Sequence, residues 1–219
     1  MKRNPMKEKL RAGEPVFGVS VMIPSPQIVE MVAAAGFDWV LLDCEHGTLT
    51  LESVELMAMA AEASGITAIA RPVTKSPEHI LQVLDRGVMG VQVPHVNTAQ
   101  DAREVLAAVK YHPAGRRGLA AGTRAAQYDA HGTLADYVKA ANDATLIAIQ
   151  LEDVDRVRVR AYVHIGRADG RARASAGAAA LFPAAAGCAR RPRRTRRSTA
   201  DPGQPPARPP GSPAPPGRR

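Results

Sequence analysis

The sequence predicts an α/β fold of repeated βα units, and three observations predict it. Up to about residue 152, short apolar β-rich runs alternate with Ala-, Leu- and Glu-rich stretches of helical period, separated by Gly, Pro, Ser or Asn. Strand starts recur roughly every 20 to 30 residues, the spacing of a strand, a crossover helix and their loops. Three apolar runs also end in reactive side chains: Asp43-Cys44-Glu45-His46 follows Trp39 to Leu42, Arg71 closes Ile66 to Ala70, and Glu152 closes Leu146 to Leu151. A parallel α/β barrel keeps its chemistry at such strand exits. Right-handed crossovers by themselves allow either a barrel or an open doubly wound sheet. No Gly-x-Gly-x-x-Gly follows the first strand, which removes the usual signature of a dinucleotide-binding sheet.

The elements follow in order. A strand near Phe17 to Met22 leads to a helix near Pro26 to Ala35, where Ser25-Pro26 supplies an N-cap and a first-turn proline. The strand Trp39 to Leu42 precedes a helix near Leu51 to Ser64, and Ile66 to Ala70 precedes one near Pro77 to Arg86, again entered through Ser76-Pro77. Gly36, Gly65 and Gly87 stand just past these helices, where a left-handed residue ends the last turn. Val88 to Val93 forms the fourth strand, and a helix near Thr98 to Lys110 follows, with Asn97 as its expected cap. A weak fifth strand is placed near Gly118 to Ala121, a helix near Thr133 to Ala141, and a sixth strand at Leu146 to Leu151.

Charge divides the chain at about residue 155. The formal net charge of +8 would suggest an acidic partner, but residues 1 to 155 hold 14 Lys and Arg against 19 Asp and Glu, whereas residues 156 to 219 hold 15 against 2. The tail also has no lysine, and 10 of the 18 prolines lie from Pro183 onward. Such a composition favours disorder over barrel strands. The expected organisation is a domain at 1 to 154, an aberrant segment at 155 to 182 with a possible seventh-strand remnant, and a disordered Arg/Pro-rich tail at 183 to 219. Cys44 and Cys188 form no disulfide or zinc spacing, and no apolar stretch is long enough for a signal peptide or membrane span. A cytoplasmic protein without a membrane partner is the expectation.

His46 can act as a general base if a carboxylate orients it, and both Asp43 and Glu45 are near enough in sequence. Arg71 can hold a carboxylate or an oxyanion in its guanidinium fork. Gln150 and Glu152 offer hard oxygen ligands suited to Mg²⁺ or Mn²⁺, and Asp169, closing the island Tyr162 to Asp169, is a candidate second carboxylate. His95 lies just past the fourth strand and is read as a rim hydrogen-bonding residue. Arg116 and Arg117 are read as anion contacts or as part of a plain turn between Gly115 and Gly118. Cys44 sits among anionic neighbours that disfavour its thiolate.

Taken in order, these segments resemble the HpcH/HpaI aldolase family, the metal-dependent pyruvate aldolases. Phe37 to Gly47 resembles the family's base-bearing segment, Ala70-Arg71-Pro72 its arginine, Gly90 to Thr98 its fourth strand and following loop, and Tyr111 to Gly118 and Ile149 to Glu152 continue the match over about residues 7 to 154. The resemblance implies a (β/α)8 TIM barrel, usually hexameric, acting on a small 2-oxo acid and an aldehyde. It implies cleavage or condensation of 4-hydroxy-2-oxo acids through a pyruvate enolate, with Mg²⁺ or Mn²⁺, or alternatively Co²⁺ or Zn²⁺, as cofactor. Carried over residue by residue, His46 is the base, Asp43 its orienting partner and Arg71 the group that stabilises the enolate oxygen. Glu152 and Asp169 are then the metal ligands, and Gln150 and Ala168 bind substrate.

Only 16 residues separate Glu152 from Asp169, too few for the helical crossover that the family pattern places between them. The barrel is therefore expected to be incomplete after about its sixth strand. An Arg/Ala/Pro/Gly tail without lysine is typical of GC-rich DNA read out of frame, so a catalytically impaired, frameshifted remnant is the alternative reading. A nucleic-acid-binding basic tail is the third, and it lacks the interleaved aromatics such a surface uses.

Overall fold

The structure, a computed structural model, describes residues 3–130 and 132–152 and the backbone of residues 162–164. The expected segments at 155 to 182 and 183 to 219, and with them Ala168 and Asp169, lie outside the described residues apart from that short backbone stretch.

Helix α1 (Pro5–Ala12) precedes β1 (Gly18–Val21), and then strands and helices alternate: α2 (Pro26–Ala34), β2 (Trp39–Asp43), α3 (Leu51–Ala63), β3 (Thr67–Arg71), α4 (Pro77–Asp85), β4 (Gly90–Val93), α5 (Ala99–Val109), α6 (Leu134–Ala144) and β5 (Leu146–Ile149). The sheet order is β1-β2-β3-β4-β5, each pair parallel. A doubly wound sheet reverses its strand order part-way. This sheet never does, so its topology is that of consecutive units of a (β/α)8 barrel.

Residue alternation divides the sheet into two faces. Val40, Leu42, Ala68, Ala70, Val91, Val93 and Ile147 pack outward with Val29, Val54, Met57, Ile80 and Val105 of the helices. Trp39, Leu41, Ile69, Leu146 and Ala148 face inward and gather around Met6 of α1. Gly18 leaves room for the Trp39 ring, since a Cβ there would lie 2.2 Å from it.

The helix starts follow the chemistry read from the sequence. Ser25, Ser76 and Thr133 each cap a helix by accepting from a backbone N–H three residues on, and Thr50 and Thr98 add a reciprocal contact from Ser53 and Asp101. Each cap contributes about 1 kcal/mol. Gly36, Gly65 and Gly87 have φ of 87°, 75° and 91°, as helix-ending glycines require.

Three expectations are corrected. Thr98, not Asn97, caps α5. Gly118 to Ala121 is not a strand, because its Gly/Ala composition packs poorly on a pleated surface; β5 at Leu146–Ile149 pairs directly with β4, so the described parallel sheet has five strands rather than six. Within the segment expected at 155 to 182, the described stretch β6 (Tyr162–His164) pairs antiparallel with β5. Arg117 is no plain turn residue: it is buried, donates to Asp85 Oδ1 at 2.7 Å and lies 4.6 Å from the Tyr111 ring centre.

Helix α1, unforeseen in the sequence, covers the N-terminal ends of the strands. Asn4 caps it and ties it to the sheet: its Oδ1 accepts from Lys7 N and Thr67 Oγ1, while its Nδ2 donates to Met89 O and Ala144 O. The Lys7 and Lys110 ammonium groups then donate to the last carbonyls of α6, both reaching Thr145 O, at 3.3 Å and 2.8 Å. Burial is the main cause that lowers their pKa values, Lys7 to about 8 and Lys110 to about 7.

Candidate active site

At the opposite, C-terminal edge of the strands the side chains are polar. Asp43 ends β2 and Arg71 ends β3, and the parallel register sets them side by side. Arg71 grips Asp43 with two hydrogen bonds, Nε to Oδ1 at 2.8 Å and a guanidinium nitrogen to Oδ2. Asp43 Oδ1 also accepts the backbone N–H groups of Glu45 and His46, at 3.1 and 3.2 Å. Burial opposes ionisation of this 1% exposed residue, but the hydrogen bonds from Arg71 and His46 N outweigh it and hold the carboxyl below its ordinary range. Asp43 thus fixes the backbone of the loop that carries His46. Gly47 permits that loop to turn back, since a Cβ would fall 2.2 Å from Asp43 O.

The carboxylate nearest the His46 ring is Glu45, with Oε2 at 3.7 Å from Nε2. Glu45 is a junction. Its Oε2 is 3.3 Å from Arg71 Nε, whose proton is already given to Asp43, and its Oε1 accepts from His95 Nε2 at 3.1 Å. The His46 imidazole is 60% exposed and open to a ligand. Burial, reinforced by the Asp43 charge, pushes the Cys44 thiol up to about 11, which disfavours a thiolate beside His46.

Glu152 lies across this edge, just past β5. Its Oε1 accepts the His95 backbone N–H at 3.1 Å, and its charge contributes to raising the pKa of Arg71, where burial acts in the opposite direction and the bond to Asp43 prevails. Three buried oxygens near these strand ends, Glu45 Oε2, Gln92 Oε1 and Gln150 Oε1, take no hydrogen bond. Gln92 falls next to Arg71 in the register and shares the inward face. Buried acceptors without donors are costly, at roughly 1 to 3 kcal/mol each, and they suit a site that a cation or a ligand hydroxyl completes.

The structure therefore brings His46, Arg71, Asp43, Gln150 and Glu152 to one edge of one sheet. Glu45, Gln92 and His95 join them; the sequence offered Glu45 only as an alternative partner for His46 and His95 only as a rim hydrogen-bonding residue, and Gln92 not at all. An alternation count would have found Gln92, whose position two residues after Gly90 sets it inward on β4. Among the described residues no three His, Cys, Asp or Glu side chains converge as a complete metal site.

The sequence profile of the HpcH/HpaI aldolase/citrate lyase family matches residues 17–159, most of the chain and all five parallel strands. The chain belongs to this family. As a member of the HpcH/HpaI family it is 35% identical over 150 residues to the 4-hydroxy-2-oxo-heptane-1,7-dioate aldolase of Salmonella arizonae, covering 68% of this chain and 56% of that protein. It is 38% identical over 152 residues to the 2-keto-3-deoxy-L-rhamnonate aldolase of Escherichia coli K12, covering 68% and 55%. The crystal structure of the HpcH/HpaI aldolase from Desulfitobacterium hafniense superposes with a TM-score of 0.63 at 31% identity, over 68% of this chain and 57% of that one. The chain spans a little over half the length of the relatives it matches.

Proposed function

We propose that this chain carries the base-bearing half of a class II, metal-dependent aldolase site that forms and consumes the enolate of pyruvate. The observation that carries the reading is the convergence of the exposed His46 imidazole, the Arg71 guanidinium and the Glu152 carboxylate on one strand edge, over inward-facing amide oxygens that lack donors. Family membership adds support, because relatives of this length of match are named as aldolases.

The donor chemistry fits a hard divalent cation. Mg²⁺ or Mn²⁺ is commonly held by one or two carboxylates, with water and substrate oxygens completing the shell. Glu152 and Gln150 would hold it from β5, and Asp169, with Ala168 beside it for substrate, is proposed as the second ligand. When bound, such an ion polarises the keto and carboxylate oxygens of a 2-oxo acid, which makes the adjacent methyl group acidic.

His46 removes that proton through its exposed imidazole. Asp43 acts at one remove, holding the loop through the Glu45 and His46 amides so that the ring does not wander. Arg71, locked by its fork on Asp43, keeps a positive charge where the enolate oxygen develops. The enolate then attacks an aldehyde, or arises in reverse when a 4-hydroxy-2-oxo acid is cleaved to pyruvate and an aldehyde. A homo-oligomer, hexameric in the family pattern, is the proposed assembly.

Incubation with a 4-hydroxy-2-oxo acid and Mn²⁺, reading pyruvate through its reduction to lactate, tests the proposal. Release that stops with a chelator and returns with Mn²⁺ is expected. Release that ignores the chelator, or no release from folded protein, overturns it.

A further inference from the structure

His95 touches two acidic side chains that belong to different strand ends. Its backbone N–H donates to Glu152 Oε1 at 3.1 Å, and its ring Nε2 meets Glu45 Oε1 at 3.1 Å. The residue adopts φ 55°, in the left-handed region that histidine seldom enters. Its neighbours hold it there: Val96 N–H donates to Gln150 O at 3.0 Å, Gln150 N–H donates to Val93 O at 2.9 Å, and Val96 is fully buried. The ring itself is 60% exposed, so polar contact rather than packing sets its place. Glu45 in turn depends on it, because His95 supplies the hydrogen bond at Oε1 while Oε2 has none.

From this geometry we infer that His95 is a positioning residue that spans the site, its ring anchored on Glu45 and its backbone fixing Glu152. The inference rests on the reading of Glu152 as a cation ligand. The physical need is orientation: the bond from the ring to Glu45 anchors the strained His95 backbone, and the N–H of that backbone fixes the Glu152 carboxylate in one direction. The bond to the ring keeps Glu45 beside Arg71 and His46, and the strained backbone presents one Glu152 oxygen to the amide, with Oε2 receiving no hydrogen bond from a described residue.

The test is Mn²⁺ binding to the full chain, followed by electron paramagnetic resonance without substrate, for wild type, Glu152→Gln, His95→Ala, His95→Gly and His95→Gln. Thermal unfolding of each variant establishes that it is folded. Glycine keeps the backbone donor and relieves the positive φ, so it isolates the ring; glutamine carries an N–H to about the place of Nε2. Loss of the ring is expected to weaken Mn²⁺ roughly 10- to 100-fold in the alanine and glycine variants, the range for groups that orient metal ligands. The glutamine variant is expected to recover most of that affinity, and Glu152→Gln to abolish tight binding. Wild-type affinity in His95→Gly, or no recovery in His95→Gln, overturns the role of His95 alone. Failure of wild type to bind Mn²⁺, or unaltered binding in Glu152→Gln, overturns the ligand reading and this inference with it.

Discussion

The two ends of the same five strands are built to opposite rules. At the N-terminal end the polar groups are mostly paired, the buried Trp39 Nε1 excepted: Asn4 satisfies two carbonyls and Thr67, the lysines 7 and 110 take up the last carbonyls of α6, and Met6 seals the inward face. At the C-terminal end Asp43 is saturated with hydrogen bonds, yet Glu45, Gln92 and Gln150 keep buried oxygens without donors. The difference teaches where the molecule spends stability. One end closes the sheet, and the other keeps the unpaired oxygens that the proposed ligand site would use.

Arg71→Ala strikes the boundary between the two rules and has the largest expected effect. It leaves the buried Asp43 carboxylate unpaired, which costs about 3 to 5 kcal/mol by urea unfolding, and in the proposed mechanism it removes the cation that faces the enolate oxygen. Met6→Ala sharpens the contrast from the other side. It opens a cavity in the fully buried inward cluster, at a cost of about 2 to 5 kcal/mol, while pyruvate release per folded molecule holds steady. Asn4→Ala removes a cap and takes the Asn4 donor from the carbonyls of Ala144 and of Met89, the latter keeping the Leu146 N–H, costing roughly 2 kcal/mol with the same indifference of activity.

The smallest effect is a pH slope. Lys7 and Lys110 have folded pKa values below that of an unfolded lysine, so between about pH 8 and the unfolded value the unfolded chain binds more protons than the folded one. Stability therefore rises as pH rises through that window, by at most about 1.4 kcal/mol per pH unit for each lysine. Urea midpoints measured at about pH 8 and about pH 9 check the sign, and Lys110→Met is expected to flatten the slope.

Much of this contrast was legible in the sequence, and the gaps have physical causes. The strands that end in Asp43 and Arg71, and the one that Glu152 follows, were legible because three apolar runs in a row each stop at a charged residue, where a single such stop is common. Helices entered through Ser25-Pro26 and Ser76-Pro77 were as plain, since cap chemistry is local. Helix α1 was not, because Lys7 reads as solvent-facing until the carbonyls that receive its ammonium group are in place. The stretch Gly118 to Ala121 misled through its apolar content, and its neighbour Arg117 is drawn inward by Asp85, which is far away in sequence. The role of Glu45 was hidden for a similar reason: its contacts to Arg71 and His95 join three separate strand ends. The choice between an open sheet and a barrel required the strand order itself.

Exchange of the pyruvate methyl protons for deuterium, followed by NMR with Mn²⁺ removed before the spectrum, tests the central claim most directly, because it reads enolate formation without any aldehyde. Metal-dependent exchange is expected in wild type, with a loss of roughly 10²- to 10⁴-fold in His46→Ala and no change in unfolding midpoint, since the ring is exposed and contributes little stability. Equal exchange in wild type and His46→Ala, or none in folded wild type with Mn²⁺, would contradict it.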